Sequence, residues 1–289
     1  MIPLIDADVL RYEIGFSGEY RDEDGELLYR EWDFVKGLFD EKIASICAAV
    51  YATEPPILFI TNDSCLHKME NKKLKKKGKE PKEYEKNFRE DIAVKKVYKG
   101  TRKQAKPFHY ANLTAYIMGG NFDVRVAVGM EADDLMSIHQ TEDGSLNTII
   151  CSRDKDLRIT PGMHYGWACG KQPEFPPQRV DEIGKLELKG GGKKIAGTGL
   201  KFFYSQLWTG DQVDNIPGIP RKGPAAAYKA LAHLETEEEL HAVTAEAYEA
   251  YYGDSWREEM KEQGLLLWMV REVDDDGNLV MWEMYDERD

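Results

Sequence analysis

The sequence predicts an α/β fold, a mainly parallel sheet flanked by helices. Short apolar runs end in acid at 2–8 ("IPLIDAD"), 56–63 ("PILFITND"), 122–134 ("FDVRVAVGMEADD") and 146–156 ("LNTIICSRDKD"). Amphipathic stretches lie between them, at 33–51 and 108–119. Strands alternating with helices imply a mainly parallel sheet, and such sheets bind ligands at the carboxyl ends of their strands. Four runs ending in acid would therefore collect carboxylates along one rim.

Each run has the four to six apolar residues of a buried strand. The first helix to be expected between them is "DFVKGLFDEKIASICAAVY". Residues 64–95 break the rhythm; they are lysine-rich and weakly periodic, which predicts a mobile insertion. Residues 160–203 are rich in Gly and Pro and predict a loop or hairpin excursion. A compact helical unit follows at 204–232, then a Glu-rich helix at 234–262. The stretch "EEMKEQGLLLWMVREV" continues as helix, although "LLLWMV" alone also suits a strand. The tail "DDDGNLVMWEMYDERD" reads as a turn and a short extended segment. The expected division is 1–203 for a catalytic domain and 204–289 for a helical region packed on the same core.

With 289 residues, 42% of them apolar, the chain can build a sizeable core. No apolar run is long enough to cross a bilayer, and "MIPLIDADVL" reaches acid too soon for a signal peptide. Four cysteines without a CxxC pair argue against a zinc site or disulfide framework and for a reducing cytoplasm. The net charge of −13 hides a polarised distribution. Residues 66–106 hold about 16 Lys and Arg against about 6 acids, roughly +10, so the remainder carries about −23. A solvated loop would explain the lysines alone, but neutralising phosphates requires such a patch.

The acids are Asp6, Asp8, Asp63, Glu131, Asp133, Asp134, Asp154, Asp156, Asp211 and Asp214. Clustered carboxylates repel and take up protons unless a cation compensates them. Oxygen-only ligands favour Mg²⁺ or Mn²⁺, and two such ions can activate water and stabilise the leaving oxygen of a phosphodiester. Singly, "DAD" is a common strand end, "EADD" suits a helix N-terminus and "SRDKD" suits a turn. Their joint recurrence beside one basic patch favours a metal site.

The sharpest signal is "WTGDQVDNIPGIPRKGPAAAYKAL" at 208–231. Asp211 and Asp214 are spaced to share a helical face. "IPGIPRKGPAAA" predicts a tight hairpin between helices, with Gly218 and Gly223 at turn positions and Pro224 opening the second helix. Helix amides beside Arg221 and Lys222 suit phosphate binding without base readout. An ordinary helix–turn–helix packing unit is the bland alternative. In "VYKGTRK", Lys99 and Arg102 would lie together on a helix and stabilise transition-state charge. Tyr98, Phe108 and Tyr110 are either stacking platforms for an unpaired base or core anchors.

"LIDAD", "FITND", "YKGTR", "MEADDL", "SRDKDL" and "GDQVDNIPGIPRKGPAAA", in this order across residues 1–232, resemble the 5′-nuclease superfamily. That superfamily comprises flap endonucleases, the 5′-nuclease domain of bacterial DNA polymerase I and phage 5′→3′ exonucleases; the end of the chain looks most like exonucleases of short-tailed phages. The resemblance implies a PIN-like domain, a helical arch over about 66–120 and a helix–hairpin–helix DNA-binding unit. It implies Mg²⁺, two ions, with Mn²⁺ able to substitute, held by Asp6, Asp63, Glu131, Asp133, Asp134, Asp154, Asp156, Asp211 and Asp214. Lys99 and Arg102 become the catalytic cations, and Tyr98, Gly218, Arg221, Lys222 and Gly223 become DNA contacts. Asp8 stands where relatives carry a small or hydroxyl residue. Arg221-Lys222 replaces a Gly-apolar pair and Ala225 a frequent Lys, which bears on a K⁺ site at the hairpin. The implied activity is 5′→3′ exonuclease action on duplex DNA, extending to flaps and RNA–DNA hybrids, by a monomer in phage replication or recombination within the host cytoplasm. No membrane partner is expected. Two rivals are a haloacid-dehalogenase-type phosphatase, which "LIDADVL" and Thr61 would serve, and a non-catalytic DNA-binding scaffold. The first leaves "EADD", "SRDKD" and the hairpin unexplained, and the second would not require every acid to be present.

Overall fold

The computed structural model describes residues 1–101, 105–144 and 147–287. In chain order the elements begin β1 (Ile2–Asp6), α1 (Ala7–Ser17), β2 (Glu19–Arg21), β3 (Leu27–Tyr29), α2 (Trp32–Ala49), β4 (Ile57–Thr61) and α3 (Ser64–Lys76). Then come α4 (Phe88–Ile92), α5 (Tyr110–Ile117), β5 (Asp123–Ala127), α6 (Ala132–Glu142), β6 (Thr148–Cys151), β7 (Gly162–Gly166) and β8 (Phe175–Val180). The last are β9 (Leu186–Lys189), β10 (Lys194–Gly197), α7 (Gly199–Thr209), α8 (Pro224–Leu231), α9 (Glu237–Tyr252) and α10 (Trp256–Leu267). Among the described residues, no helix is long and apolar enough to cross a membrane.

The chain forms two compact units woven from alternating segments, not from a single division at 203/204. The first unit comprises residues 1–87, 104–154 and 163–178. The central sheet runs β5-β4-β1-β6-β7-β8, and the pairs β5–β4, β4–β1, β1–β6 and β6–β7 are all parallel. The β1 run "IPLID" is buried along nearly its whole length, as a strand covered on both faces must be. Ile5, Leu58, Ile60 and Ile149 from the strands pack with Leu10, Phe39 and Ile46 from α1 and α2. The mainly parallel α/β sheet expected from the strand–helix rhythm is thus present.

The second unit comprises residues 88–103, 155–162 and 179–289. Its helices α7, α9 and α10 pack on one another around Phe203, Leu207, Leu240, Tyr248 and Met260, all buried. Two buried polar bonds tie that core: Trp208 Nε1 donates to Thr244 Oγ1 at 3.0 Å and Tyr248 OH to the Leu207 carbonyl at 2.8 Å. "LLLWMV" is split, for α10 ends at Leu267 and Trp268 is extended. Residues 64–76, the start of the stretch expected as a mobile insertion, form the helix α3. Asp63 caps it by accepting from the Cys65 and Leu66 amides, and Lys73, Lys75 and Lys76 suit the negative end of the helix dipole. The run of lysines hid a helix that rests on a cap and one buried anchor, Leu66.

Candidate active site

In the first unit, four adjacent parallel strands β5, β4, β1 and β6 deliver acids just past their carboxyl ends. Asp6 closes β1, Asp63 follows β4, Glu131 follows β5 and Asp154 follows β6. Three of them also start the next helix: Asp6, Asp63 and Glu131 are the N-caps of α1, α3 and α6. A carboxylate there is stabilised by free helix amides, so local folding and the clustering of charge use the same positions.

Asp6 is 1% exposed. Its Oδ1 accepts from the Val9 amide at 3.0 Å and its Oδ2 from Ser152 Oγ at 2.7 Å. Burial, with Asp8 and Asp154 nearby, pushes this carboxyl up to about 7 against those bonds. The Asp154 amide donates to Ser152 Oγ at 2.9 Å, so one hydroxyl joins two rim acids. Burial also acts to raise Asp63, but Arg11, Lys106 and Tyr110 hold it below the usual carboxylate value. Lys106 Nζ lies 2.7 Å from Asp63 Oδ2, and Tyr110 OH donates to the same oxygen at 2.6 Å. Asp134 is buried and accepts from the Glu131 amide at 3.2 Å in a capping box, while Asp133 is half-buried beside it in the first turn of α6. Asp8 lies one residue into α1 and accepts the Thr61 amide at 3.2 Å through both oxygens. It pairs with Arg11, which is buried, reaches to 3.7 Å from Asp63 Oδ2 and stacks 4.5 Å from the centre of the Tyr110 ring.

The second unit carries its own acids. Lys155 Nζ contacts Asp156 Oδ1 at 2.8 Å and Asp211 Oδ2 at 2.7 Å, and Gln206 Nε2 donates to Asp156 Oδ1 at 2.5 Å. Burial would lower the Lys155 ammonium, but the two carboxylates raise it, and Lys155 in return holds Asp211 below its ordinary value against burial. Asp211 and Asp214 do not share a helical face as their spacing predicts. Helix α7 ends at Thr209, and both lie in a turn bracketed by the Asp211–Ile216 bridge. There Asp211 Oδ1 accepts from the Val213 and Asp214 amides at 2.7 and 3.3 Å. A carboxylate that satisfies nearby amides favours a turn over a helix.

The hairpin between α7 and α8 is present. Gly218 takes φ +66°, where a Cβ would stand 2.2 Å from the Gly210 nitrogen. Its amide donates to Gln263 Oε1 at 2.8 Å, and its carbonyl accepts from Tyr252 OH at 2.9 Å. Gly223 differs from expectation: its φ is −88°, and it is the N-cap of α8, with Pro224 next. Arg221 adopts the left-handed conformation instead, at φ 67°. Arg221 and Lys222 are exposed, and Lys222 Nζ lies 5.6 Å from the Trp208 ring centre.

Lys99 is not helical; it sits in a turn at φ 55°, its amide donating to the Asp214 carbonyl at 3.1 Å. Its Nζ lies 5.0 Å from the Tyr98 ring centre, and Tyr98 OH donates to Asp214 Oδ2 at 3.3 Å. Gly100 and Thr101, next in the chain, belong to the same turn. Arg102 lies outside the described residues. Tyr110 is buried, whereas Phe108 is exposed and stacks on Tyr29 with ring centres 4.1 Å apart.

The rim donors are all oxygens and include one buried carboxyl raised by burial and by the acids beside it, which suits a hard divalent cation. Among the described residues, no three His, Cys, Asp or Glu side chains already form a metal-holding group. Basic side chains sit on the acids: Lys106 and Arg11 in the first unit, Lys155 in the second. In donor chemistry the residues fit a cation, and Lys106 and Lys155 would have to give way to it. Arg11, Lys106, Ser152, Lys155 and Gln206 were missed in the sequence, and Thr61 was weighed there only for a phosphatase, not as the partner of Asp8. Arg11, three residues after Asp8 on one helix, and Ser152 and Lys155, both inside "SRDKD", left a local signal there.

No protein-family model matches the chain. DNA polymerase I of Rhizobium leguminosarum is 32% identical over 107 residues, which cover 36% of this chain and 9% of the polymerase. The bacteriophage T5 D15 protein crystallised with metal ions superposes with a TM-score of 0.51 at 12% identity, over 91% of this chain and 88% of its own. The T5 D15 flap endonuclease in complex with DNA and metal ions gives 0.50 at 14% identity, over 92% and 98%. The likeness covers the mainly parallel sheet and its flanking helices. The fold thus bears out the resemblance of this chain to the 5′-nuclease superfamily.

Proposed function

We propose that the chain is a divalent-metal-dependent 5′-nuclease that hydrolyses phosphodiester bonds at the 5′ ends of duplex DNA. The observation that carries this reading is the rim of Asp6, Asp63, Glu131 and Asp154 past four adjacent parallel strands. Asp133 and Asp134 in the first unit, and Asp156, Asp211 and Asp214 in the second, complete the assigned metal-holding carboxylates. The expected ion is Mg²⁺, two per chain, replaceable by Mn²⁺, with K⁺ at the hairpin. When bound, the divalent ions supply an activated water and charge stabilisation at the leaving oxygen.

The chain's own residues do the rest. Ser152 and the Val9 amide keep Asp6 oriented. Lys99 and Arg102 offset charge developing on the phosphoryl oxygens. Gly218, Arg221, Lys222 and Gly223 bind the duplex backbone, and Tyr98 stacks on a base near the end. Backbone contacts of this kind tolerate RNA–DNA hybrids and 5′ flaps. A monomer acting in phage replication or recombination, in the bacterial cytoplasm, suits this activity.

The test uses 5′-labelled blunt and flapped duplexes in Mg²⁺, with the wild type beside a Glu131→Gln, Asp133→Asn double variant. Metal-dependent release from the 5′ end that disappears in the variant supports the assignment, and the ratio of mononucleotide to flap product sets the subclass. A wild type that binds both substrates and cuts neither overturns it.

A further inference from the structure

We propose that the β9–β10 hairpin is a second contact for the phosphodiester backbone of duplex DNA, additional to the α7–α8 hairpin. This inference rests on the nuclease reading above. The segment 185–198 holds Lys185, Lys189, Lys193 and Lys194 against one acid, Glu187, in a chain whose net charge is −13. Every one of these lysines is exposed. The alternating residues Leu186, Leu188 and Ile195 are half-buried, and both strands pack on α8. The hairpin therefore has an inner apolar face and an outer cationic one.

The register makes the charge costly. Lys189 and Lys194 are direct cross-strand partners. Like charges directly opposite one another destabilise a strand pair. Among the described residues, Glu187 alone pairs with them, 3.4 Å from Lys189 and itself largely exposed. Lysines do discourage edge-to-edge pairing, but that purpose does not require two to oppose each other across the same ladder. A polyanion seated on the outer face would turn this repulsion into attraction.

The hairpin is also mounted as a rigid strut. The Lys185 and Thr198 amides and carbonyls exchange bonds of 3.2 and 2.9 Å, and the Leu200 amide donates to the Glu182 carbonyl at 2.8 Å as α7 begins. At Gly184 a Cβ would stand 1.9 Å from the Thr198 carbonyl oxygen, so the base of the hairpin lies backbone to backbone against the start of α7. The tip is bare: Gly190, Gly191 and Gly192 all have positive φ and nothing within 4 Å of a would-be Cβ. A tip without side chains lets a nucleic-acid backbone approach closely. The same α8 that supports both strands is the second helix of the α7–α8 hairpin, so the two basic elements belong to one packed unit.

The test is binding of a labelled blunt duplex in Ca²⁺ across a salt series, with a Lys189→Ala, Lys194→Ala double variant and the Arg counterpart at both positions. If each lysine neutralises one phosphate, the log–log salt slope of the alanine variant falls by about 1.8, and the arginine variant keeps the wild-type slope. The thermal midpoint of the alanine variant should not fall, because a repulsive pair has been removed. An alanine variant with wild-type affinity and slope, beside a wild type that releases nucleotides in Mg²⁺, overturns the hairpin proposal and leaves the nuclease reading intact. A wild type that neither binds duplex nor cuts it in Mg²⁺ overturns the nuclease reading, and the hairpin proposal falls with it.

Discussion

Ser152 fastens Asp6 to the turn that carries Asp154: its hydroxyl donates to Asp6 Oδ2 at 2.7 Å, and its oxygen accepts the Asp154 amide at 2.9 Å. Ser152→Ala leaves a buried carboxylate oxygen without its donor. The expected cost is about 1–3 kcal/mol in stability. Residues that orient metal ligands typically change affinity or activity by about 10–100-fold. Nuclease rate measured against Mg²⁺ concentration should therefore fall by a factor in that range, with the half-saturating Mg²⁺ raised. An unchanged metal titration in a folded Ser152→Ala protein would remove Asp6 from the ligand set.

Arg11 is the buried cation of the first unit, paired with Asp8, 3.7 Å from Asp63 and 3.2 Å from Thr114 Oγ1. Arg11→Met keeps the apolar volume and strips the charge from between two acids. Asp8 and Asp63 are half-buried, so losing this charged partner should cost about 1.5–3 kcal/mol. Urea unfolding in EDTA should show that loss. Adding Asp8→Ala should cost less than the sum of the single changes, because the stranded charge goes too. Strict additivity would mean that the two groups do not interact.

The rim was legible in the sequence because its signals are local. Asp6, Asp63, Glu131 and Asp154 each end an apolar run, and a parallel sheet needs no further information to gather them. Hairpin and helices were readable for the same reason, from Gly218 and Pro224. What stayed hidden depends on tertiary contact. Lys106 reaches Asp63 across 43 positions and Lys155 reaches Asp211 across 56, distances over which spacing carries no information. The turn at 211–216 was misread because i, i+3 spacing describes a helix and an Asx-type turn equally well, and amide capping by Asp211 decides for the turn.

His241 gives the second unit a pH dependence. It is 5% exposed, and its Nε2 lies 3.2 Å from Asp286 Oδ1. Tyr204, Tyr285, Glu237 and Arg257 complete its surroundings. Burial lowers its ionisation from the ordinary 6.5 and outweighs the opposing pull of Asp286 and Glu237. A depressed folded-state value means that the unfolded chain binds the proton more readily. The associated stability is fully present above pH 6.5 and is lost as pH falls through the lower folded value. Urea midpoints taken from pH 8 to pH 5 should fall further for the wild type than for His241→Gln. Parallel curves for the two proteins would show that this imidazole is not the group responsible.

Gly218 and Gly223 flank one hairpin but answer to different constraints, so the same substitution should separate folding from binding. At Gly218 an alanine meets φ +66° and a Cβ 2.2 Å from the Gly210 nitrogen. The left-handed conformation alone costs about 1–2 kcal/mol, and backbone cannot move aside as a flexible side chain would. Gly218→Ala should therefore lower the thermal midpoint sharply. At Gly223, φ is −88° and no atom lies within 4 Å of a would-be Cβ. There alanine loses only the helix-cap preference of glycine, up to about 1 kcal/mol. If Gly223 is a DNA contact, the new methyl group stands where a phosphate must approach the first amides of α8. Gly223→Ala should then keep its fold while its affinity for duplex in Ca²⁺ drops. Wild-type affinity in that variant would confine the hairpin's DNA contacts to Arg221, Lys222 and Gly218.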